Sequence, residues 1–125
     1  MNITSFNPLI VTKDAETVIA TFEALGFERC HVKEGLSINN VTDVRMKDGN
    51  GFHVDITKGT EERMMIRMNV DDLEETIRFL ESRGFHKARH PAANETVDTG
   101  SSRFNIMVSA SGLILAVSQH IKNND

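Results

Sequence analysis

The sequence predicts an α+β fold built from two βαβββ modules, and three observations predict it. Asp14 to Phe27 (DAETVIATFEALGF) and Asp72 to Phe85 (DLEETIRFLESRGF) repeat one another, agreeing at Asp14/Asp72, Glu16/Glu74, Ile19/Ile77, Glu23/Glu81, Gly26/Gly84 and Phe27/Phe85. Each copy follows a short apolar run and precedes several more. Each half also closes on a glycine-bearing turn, Asp48-Gly49-Asn50-Gly51 or Ala110-Ser111-Gly112, followed by one more strand-like run. A repeat at half the chain length means two copies of one supersecondary unit. Two such units make a curved mixed sheet with both helices on one side and a concave cleft on the other. The expected organisation is one domain, 1–125, with module one at about 1–58 and module two at about 62–121.

Phe6 to Thr12 reads as the first strand, with Pro8 near its start. Thr12 or Asp14 can accept from the free N–H groups of the first helical turn, and Asp14 and Glu16 suit the positive end of the helix dipole. Val18, Ile19, Phe22 and Leu25 recur every three or four residues and predict one buried stripe, which Gly26 stops. Phe27 to Lys33 and Val41 to Lys47 read as strands. Asp48-Gly49-Asn50-Gly51 is a hairpin signal because Gly and Asn tolerate positive φ. Phe52 to Thr57 alternates, sending Phe52, Val54 and Ile56 to one face and His53, Asp55 and Thr57 to the other. Lys58 to Glu62 is a polar hinge. Met64 to Val70 then reads as a strand, and the second helix turns Leu73, Thr76, Ile77 and Leu80 to the core and ends at Gly84. Phe85 to Arg89, Ser102 to Ser109 and Leu113 to His120 complete the strands, with a loop from His90 through Pro91 to Asn94.

Composition narrows the function classes. With 125 residues, 39% hydrophobic and 26% charged, the chain suits a globular domain with its own core. A net charge of −4 gives no basic footprint for nucleic acid. No apolar run is long enough to span a membrane, and Met1-Asn2-Ile3-Thr4 has no secretory pattern. Cys30 stands alone and cannot form an intramolecular disulfide, which fits a cytoplasmic setting, and it reads as a buried or half-buried structural thiol. Tyr and Trp are both absent, so Phe must do any stacking on a planar ligand.

Five His are present, none in a local ligand motif. His53 and Asp55 share strand parity and face the expected cleft, as Ala116, Ser118 and His120 do if the last strand runs as predicted. Three readings stand for His53, Asp55 and His120: a displaced metal site, an exposed His53–Asp55 pair with His120 at a strand end, or a general base at His53 oriented by the Asp55 carboxylate. As an open-face carboxylate, Asp55 should be replaceable by Ala with little effect on folding. Met65, Arg67 and Asn69 share one face of their strand. Arg103, Asn105 and Met107 share one face of theirs, and two Arg near a concave surface can clamp a carboxylate or phosphate. Met64, Met65 and Met68 either line that surface or pack in the core.

With its paired segments LIVTKDAETVIATFEALGF and IRMNVDDLEETIRFLESRGF, and with DGNGFHVDIT and SASGLILAVSQ after small turns, the chain resembles the vicinal oxygen chelate superfamily. That superfamily includes glyoxalase I, bleomycin-resistance proteins, extradiol dioxygenases and fosfomycin-resistance enzymes. Its metal-dependent members hold a divalent ion with a His or Gln on the first strand of each half and a Glu on the last strand of each half. The resemblance places those roles at Asn7, Met65, Asp55 and Ala116. Of these only Asp55 is a good hard-metal ligand, whereas a catalytic site takes about three protein ligands. The resemblance therefore implies a small-molecule-binding protein with no cofactor, its ligand in a cleft lined by Asn7, His53, Asp55, Met65, Arg67, Asn69, Arg103, Asn105 and His120. The alternative is a metal-dependent lyase, isomerase or dioxygenase using His53, Asp55 and His120. A homodimer is the further expectation that comes with the family.

Overall fold

A computed structural model describes residues 1–33, 43–88, 97–98 and 102–120. The elements are β1 (Ile3–Thr12), α1 (Ala15–Ala24), β2 (Glu28–Lys33), β3 (Asp43–Lys47), β4 (His53–Lys58), β5 (Arg63–Val70), α2 (Leu73–Ser82), β6 (His86–Lys87), β7 (Val97–Asp98), β8 (Ser102–Val108) and β9 (Ile114–His120). This is the α+β arrangement the repeat predicts, βαβββ twice, with β7 as a short addition. Two compact units form: Asn7–Met64, and Met65–Asp125 together with Met1–Phe6. The division falls inside β5, not in the polar hinge, and the opening residues of β1 belong with the second unit. There Asn2 donates its backbone N–H to Asp71 Oδ1 at 2.8 Å, and Asp71 N–H bonds back to the Asn2 carbonyl. The Asn2 N–H, with the charged N-terminus adding to it, holds the Asp71 carboxyl below its usual range.

The first unit orders its strands β2-β3-β4-β1 and the second β5-β9-β8-β6, with β7 on β8. In each unit one parallel pair joins the first and last strands and a hairpin supplies an antiparallel pair. The registers coincide. Leu9 stands beside Asp55 and Arg67 beside Ala116 in the parallel pairs, while Arg45 faces Asp55 and Ile106 faces Ala116 in the hairpins.

The helices end alike. Leu25 caps α1, Gly26 turns to φ 104°, and Phe27 N–H reaches back to the Phe22 carbonyl at 3.0 Å. Gly84 at φ 92° and the bond from Phe85 N–H to the Leu80 carbonyl at 3.0 Å repeat this. Only a residue without Cβ enters that left-handed region cheaply. The turn brings Phe27 edge-on to Phe22, ring centroids 5.3 Å apart, and directs Leu25 to the surface, where it is 68% exposed. Leu25 is therefore not part of the predicted stripe. Ala15 and Ile19 are its buried members, with Val18 and Phe22 partly covered.

The helix starts differ. Asp72 accepts from Glu75 N–H at 3.0 Å and caps α2, whereas Asp14 makes no side-chain cap. In its place Thr12 Oγ1 accepts from Asp14 N–H at 3.1 Å and donates to Glu62 Oε1 at 2.9 Å. The Thr12 hydroxyl, and after it the Lys13 N–H, hold the Glu62 carboxyl below its usual value.

Each helix covers its own core. α1 packs with Val44, Met46, Val54 and Ile56, and α2 with Met68, Val70, Met107, Leu115 and Val117. Leu73, Thr76, Ile77 and Leu80 are buried as their spacing predicts. Three readings fail locally. Phe52 is 65% exposed because its N–H and carbonyl close the turn on Asp48, so the alternation begins one residue later. Cys30 is exposed: a bulge interrupts β2 between Arg29 and His31, and the thiol donates to the Arg45 carbonyl at 3.4 Å. β1 begins at Ile3, three residues before the predicted start. The predicted loop from His90 to Asn94 lies outside the described residues. Among the described residues no helix is long and apolar enough to cross a membrane.

Candidate functional site

In the first unit the strand faces are assigned by packing. Val44, Met46, Val54 and Ile56 lie under α1, so the intervening residues of β3 and β4 look the other way. Cross-strand pairs on that far face are Asp43 with Thr57, Arg45 with Asp55, and Lys47 with His53. Asp55 is 0% exposed and is the centre of the group. Its Oδ2 accepts from Asn7 Nδ2 at 2.9 Å and lies 3.8 Å from Arg45 Nη1. The second Asn7 Nδ2 hydrogen goes to the Pro8 carbonyl at 2.9 Å. Both contacts are acceptors, so the amide is oriented unambiguously. Asn7 Oδ1 is left buried, with no hydrogen-bond partner among the described residues. At the near end of the face Thr57 Oγ1 donates to Asp43 Oδ1 at 3.3 Å.

Asp55 therefore has the parity its alternating strand predicts but not the exposure. Burial with an amide donor and a guanidinium replaces the expected solvated pair, because hairpin register places Arg45 directly across from it. The equivalent face of the second unit carries different chemistry. Met65, Arg67 and Asn69 alternate with core residues Met68 and Val70, and Ala116, Ser118 and His120 alternate with Leu115 and Val117. Ser118, buried, donates to Asn69 Oδ1, and Asn69 Nδ2 donates to Ser5 Oγ at 2.8 Å. His120 is exposed at the end of β9.

Arg103 and Asn105 lie on the opposite face and leave the candidate site. Asn105 faces Val117 across the hairpin and shares parity with Met107, both core residues under α2. Arg103 faces Gln119, whose Oε1 accepts from the first N–H of α2, Leu73, at 2.8 Å, and its own guanidinium reaches Glu74 at 3.2 Å. The shared parity of Arg103, Asn105 and Met107 is as predicted. The face is the helix side, because the core needs Met107.

The four positions that the resemblance assigns to a metal fit one poorly. Asn7 and Asp55 are bonded to each other, Arg45 brings a positive charge beside Asp55, Met65 offers a soft thioether, and Ala116 offers no donor. Among the described residues no three His, Cys, Asp or Glu side chains gather as a metal-binding group, so His53, Asp55 and His120 are not part of one. Arg45 and Lys47 were missed at the sequence level. The signal was present, since closing Asp48 to Gly51 as a hairpin sets Arg45 opposite Asp55 and Lys47 opposite His53 by simple counting.

No family model matches the chain, and no curated relative matches it. Solved structures do. A Streptomyces coelicolor methylmalonyl-CoA epimerase bound to 2-nitronate-propionyl-CoA is 15% identical, with a TM-score of 0.71 over 99% of both chains. A hypothetical protein from Bacillus halodurans C-125 is 13% identical, with a TM-score of 0.73 over 100% of this chain and 99% of its own. A glyoxalase/bleomycin resistance protein/dioxygenase superfamily member from Vibrio splendidus 12B01 is 14% identical, with a TM-score of 0.64 over 94% of this chain and 99% of its own. At these identities the likeness is one of fold: the chain has the fold of the vicinal oxygen chelate superfamily. A fold of this kind hosts many activities, and the site must supply the rest.

Proposed function

We propose that this chain is a glyoxalase/bleomycin-resistance-like protein that binds a small organic molecule and uses no metal at the position metal-dependent relatives use. The state of Asp55 carries this reading. Its Oδ2 is engaged by Asn7 Nδ2 at 2.9 Å and faces Arg45 at 3.8 Å. A divalent ion at Asp55 has to displace an amide donor and sit beside a guanidinium. On the first unit the candidate contacts lie on the face turned away from α1, at Asn7, His53 and Asp55; on the second unit, taken by itself, the corresponding face carries Met65, Arg67, Asn69 and His120. A homodimer in the cytoplasm completes the proposal.

The test is a thermal-shift panel of organic acids, sugar phosphates, nucleotides and acyl-CoA thioesters, run with and without EDTA. Thioesters are included because solved proteins of this fold are methylmalonyl-CoA epimerases. The expected result is one chemical class that raises Tm equally in both arms. No response to any class, or a response abolished by EDTA, contradicts the reading. Sedimentation equilibrium on the same sample checks the dimer.

A further inference from the structure

On the first unit's far face, β3 and β4 place basic side chains together next to the turn. Lys47 stands directly across from His53, and Arg45, one pleat away on the same face, stands across from Asp55. Residues opposed in this way have Cβ atoms about 5 Å apart, and like charges so placed oppose folding. Lys47 and His53 are opposed in this way, and each can donate an N–H to an anion. The carboxylates nearby are committed elsewhere: Asp55 to Asn7 and Arg45, Asp43 to Thr57, and Asp48 to the N–H groups of Asn50 and Phe52 in the turn. Arg45 is half-buried, its side chain 24% exposed, with its guanidinium near a fully buried carboxylate. A guanidinium anchored on one side loses less freedom when it binds an anion on the other.

A second observation lies in the same group. Both Asn7 Nδ2 hydrogens are used and Asn7 Oδ1 is buried without a partner among the described residues. A buried acceptor of this kind calls for a donor, from a ligand or from water. Asn7 and His53 each lie two residues before the paired Leu9 and Asp55 on adjacent parallel strands, so Asn7 is beside the basic cluster. A molecule seated here meets cations and N–H donors from Arg45, Lys47 and His53, since imidazole offers an N–H in either protonation state.

Resting on the small-molecule reading above, we propose that Arg45, Lys47 and His53 form an oxyanion subsite that takes the carboxylate or phosphate end of the ligand. Asp55 and Asn7 act as positioning residues that hold Arg45 in place. The second unit has no counterpart, because Ile106 and Val108 occupy the positions of Arg45 and Lys47, and Ile114 that of His53.

The experiment titrates inorganic phosphate and malate into the full chain by isothermal calorimetry, each at low and high sodium chloride. Both are expected to bind, more weakly at high salt, and whichever binds tighter separates the phosphate source from the carboxylate source. Arg45→Gln should weaken that binding at least tenfold and Lys47→Gln severalfold, while Arg103→Gln, on the helix side, leaves it unchanged. Arg45→Lys should recover part of the loss, and far-ultraviolet circular dichroism must match wild type for each variant. Equal affinity in Arg45→Gln and wild type overturns the subsite. Silence of both anions toward a chain that still responds to a compound of the thermal panel overturns the subsite and leaves the binding reading intact. Silence toward every compound overturns both.

Discussion

The two halves share a backbone plan and differ in what it carries. Offsets of 58 residues through the first strand and helix, and of 61 through the hairpin, superimpose their registers: Leu9 beside Asp55 matches Arg67 beside Ala116. At matched positions the first half has Asn7, Arg45 and Asp55 where the second has Met65, Ile106 and Ala116. The cores differ in the opposite sense, Ala15 in α1 standing where Leu73 stands in α2. Backbone hydrogen bonding and helix stops thus tolerate wide divergence, while side chains on the faces away from the helices are free to specialise. The first half has specialised toward charge.

The largest effect expected from breaking the comparison is at the helix cores. Leu73 is fully buried, and Leu73→Ala, which gives α2 the residue of α1, should cost about 3 kcal/mol in urea unfolding. A loss below about 1 kcal/mol means the second core collapses around the gap as the first already has. Next comes Asp55→Ala. It strips Asn7 and Arg45 of their shared acceptor and should cost about 2 kcal/mol, read as a lower urea midpoint with unchanged slope. An unchanged midpoint restores the solvated carboxylate that strand alternation alone suggests.

A smaller contrast lies at the helix starts. Asp72 caps Glu75 N–H whereas Asp14 caps nothing with its side chain, so Asp72→Ala should cost about 1 kcal/mol and Asp14→Ala a few tenths at most. Equal losses contradict the assignment. The smallest effect concerns pH. The folded Glu62 carboxyl sits below its ordinary value of 4.5, so the stability it contributes is present above that value and is lost as pH falls through the lower folded one. Glu62→Gln should lower Tm slightly at neutral pH, and the gap to wild type should close in acid. A gap that persists in acid shows that Glu62 acts through packing.

Much of the fold was legible because the repeat is spelled in residues with few alternatives. Gly26 and Gly84 adopt positive φ, Phe27 and Phe85 follow them, and Leu73, Thr76, Ile77 and Leu80 mark one helix face. Strand parity was legible for His53 and Asp55. Burial was not, since alternation tells which face a residue takes and nothing of what covers it. Arg103 and Asn105 show the limit from the other side. Their common face followed from spacing, but its identity depended on Met107 being core, and a methionine reads equally well either way. Cys30 and Leu25 were misplaced by a bulge and a helix-ending turn, both of which shift periodicity by local geometry that the residue pattern does not announce.

Asp55 is held by Asn7 and Arg45, and the proposed function gives it no metal to bind. The most direct measurement is metal content per chain by mass spectrometry after incubation with Mn, Fe, Ni or Zn and dialysis, for wild type and Asp55→Asn. Far less than one ion per chain is expected with every metal, the same in both proteins. One ion per wild-type chain, lost in Asp55→Asn, contradicts this expectation.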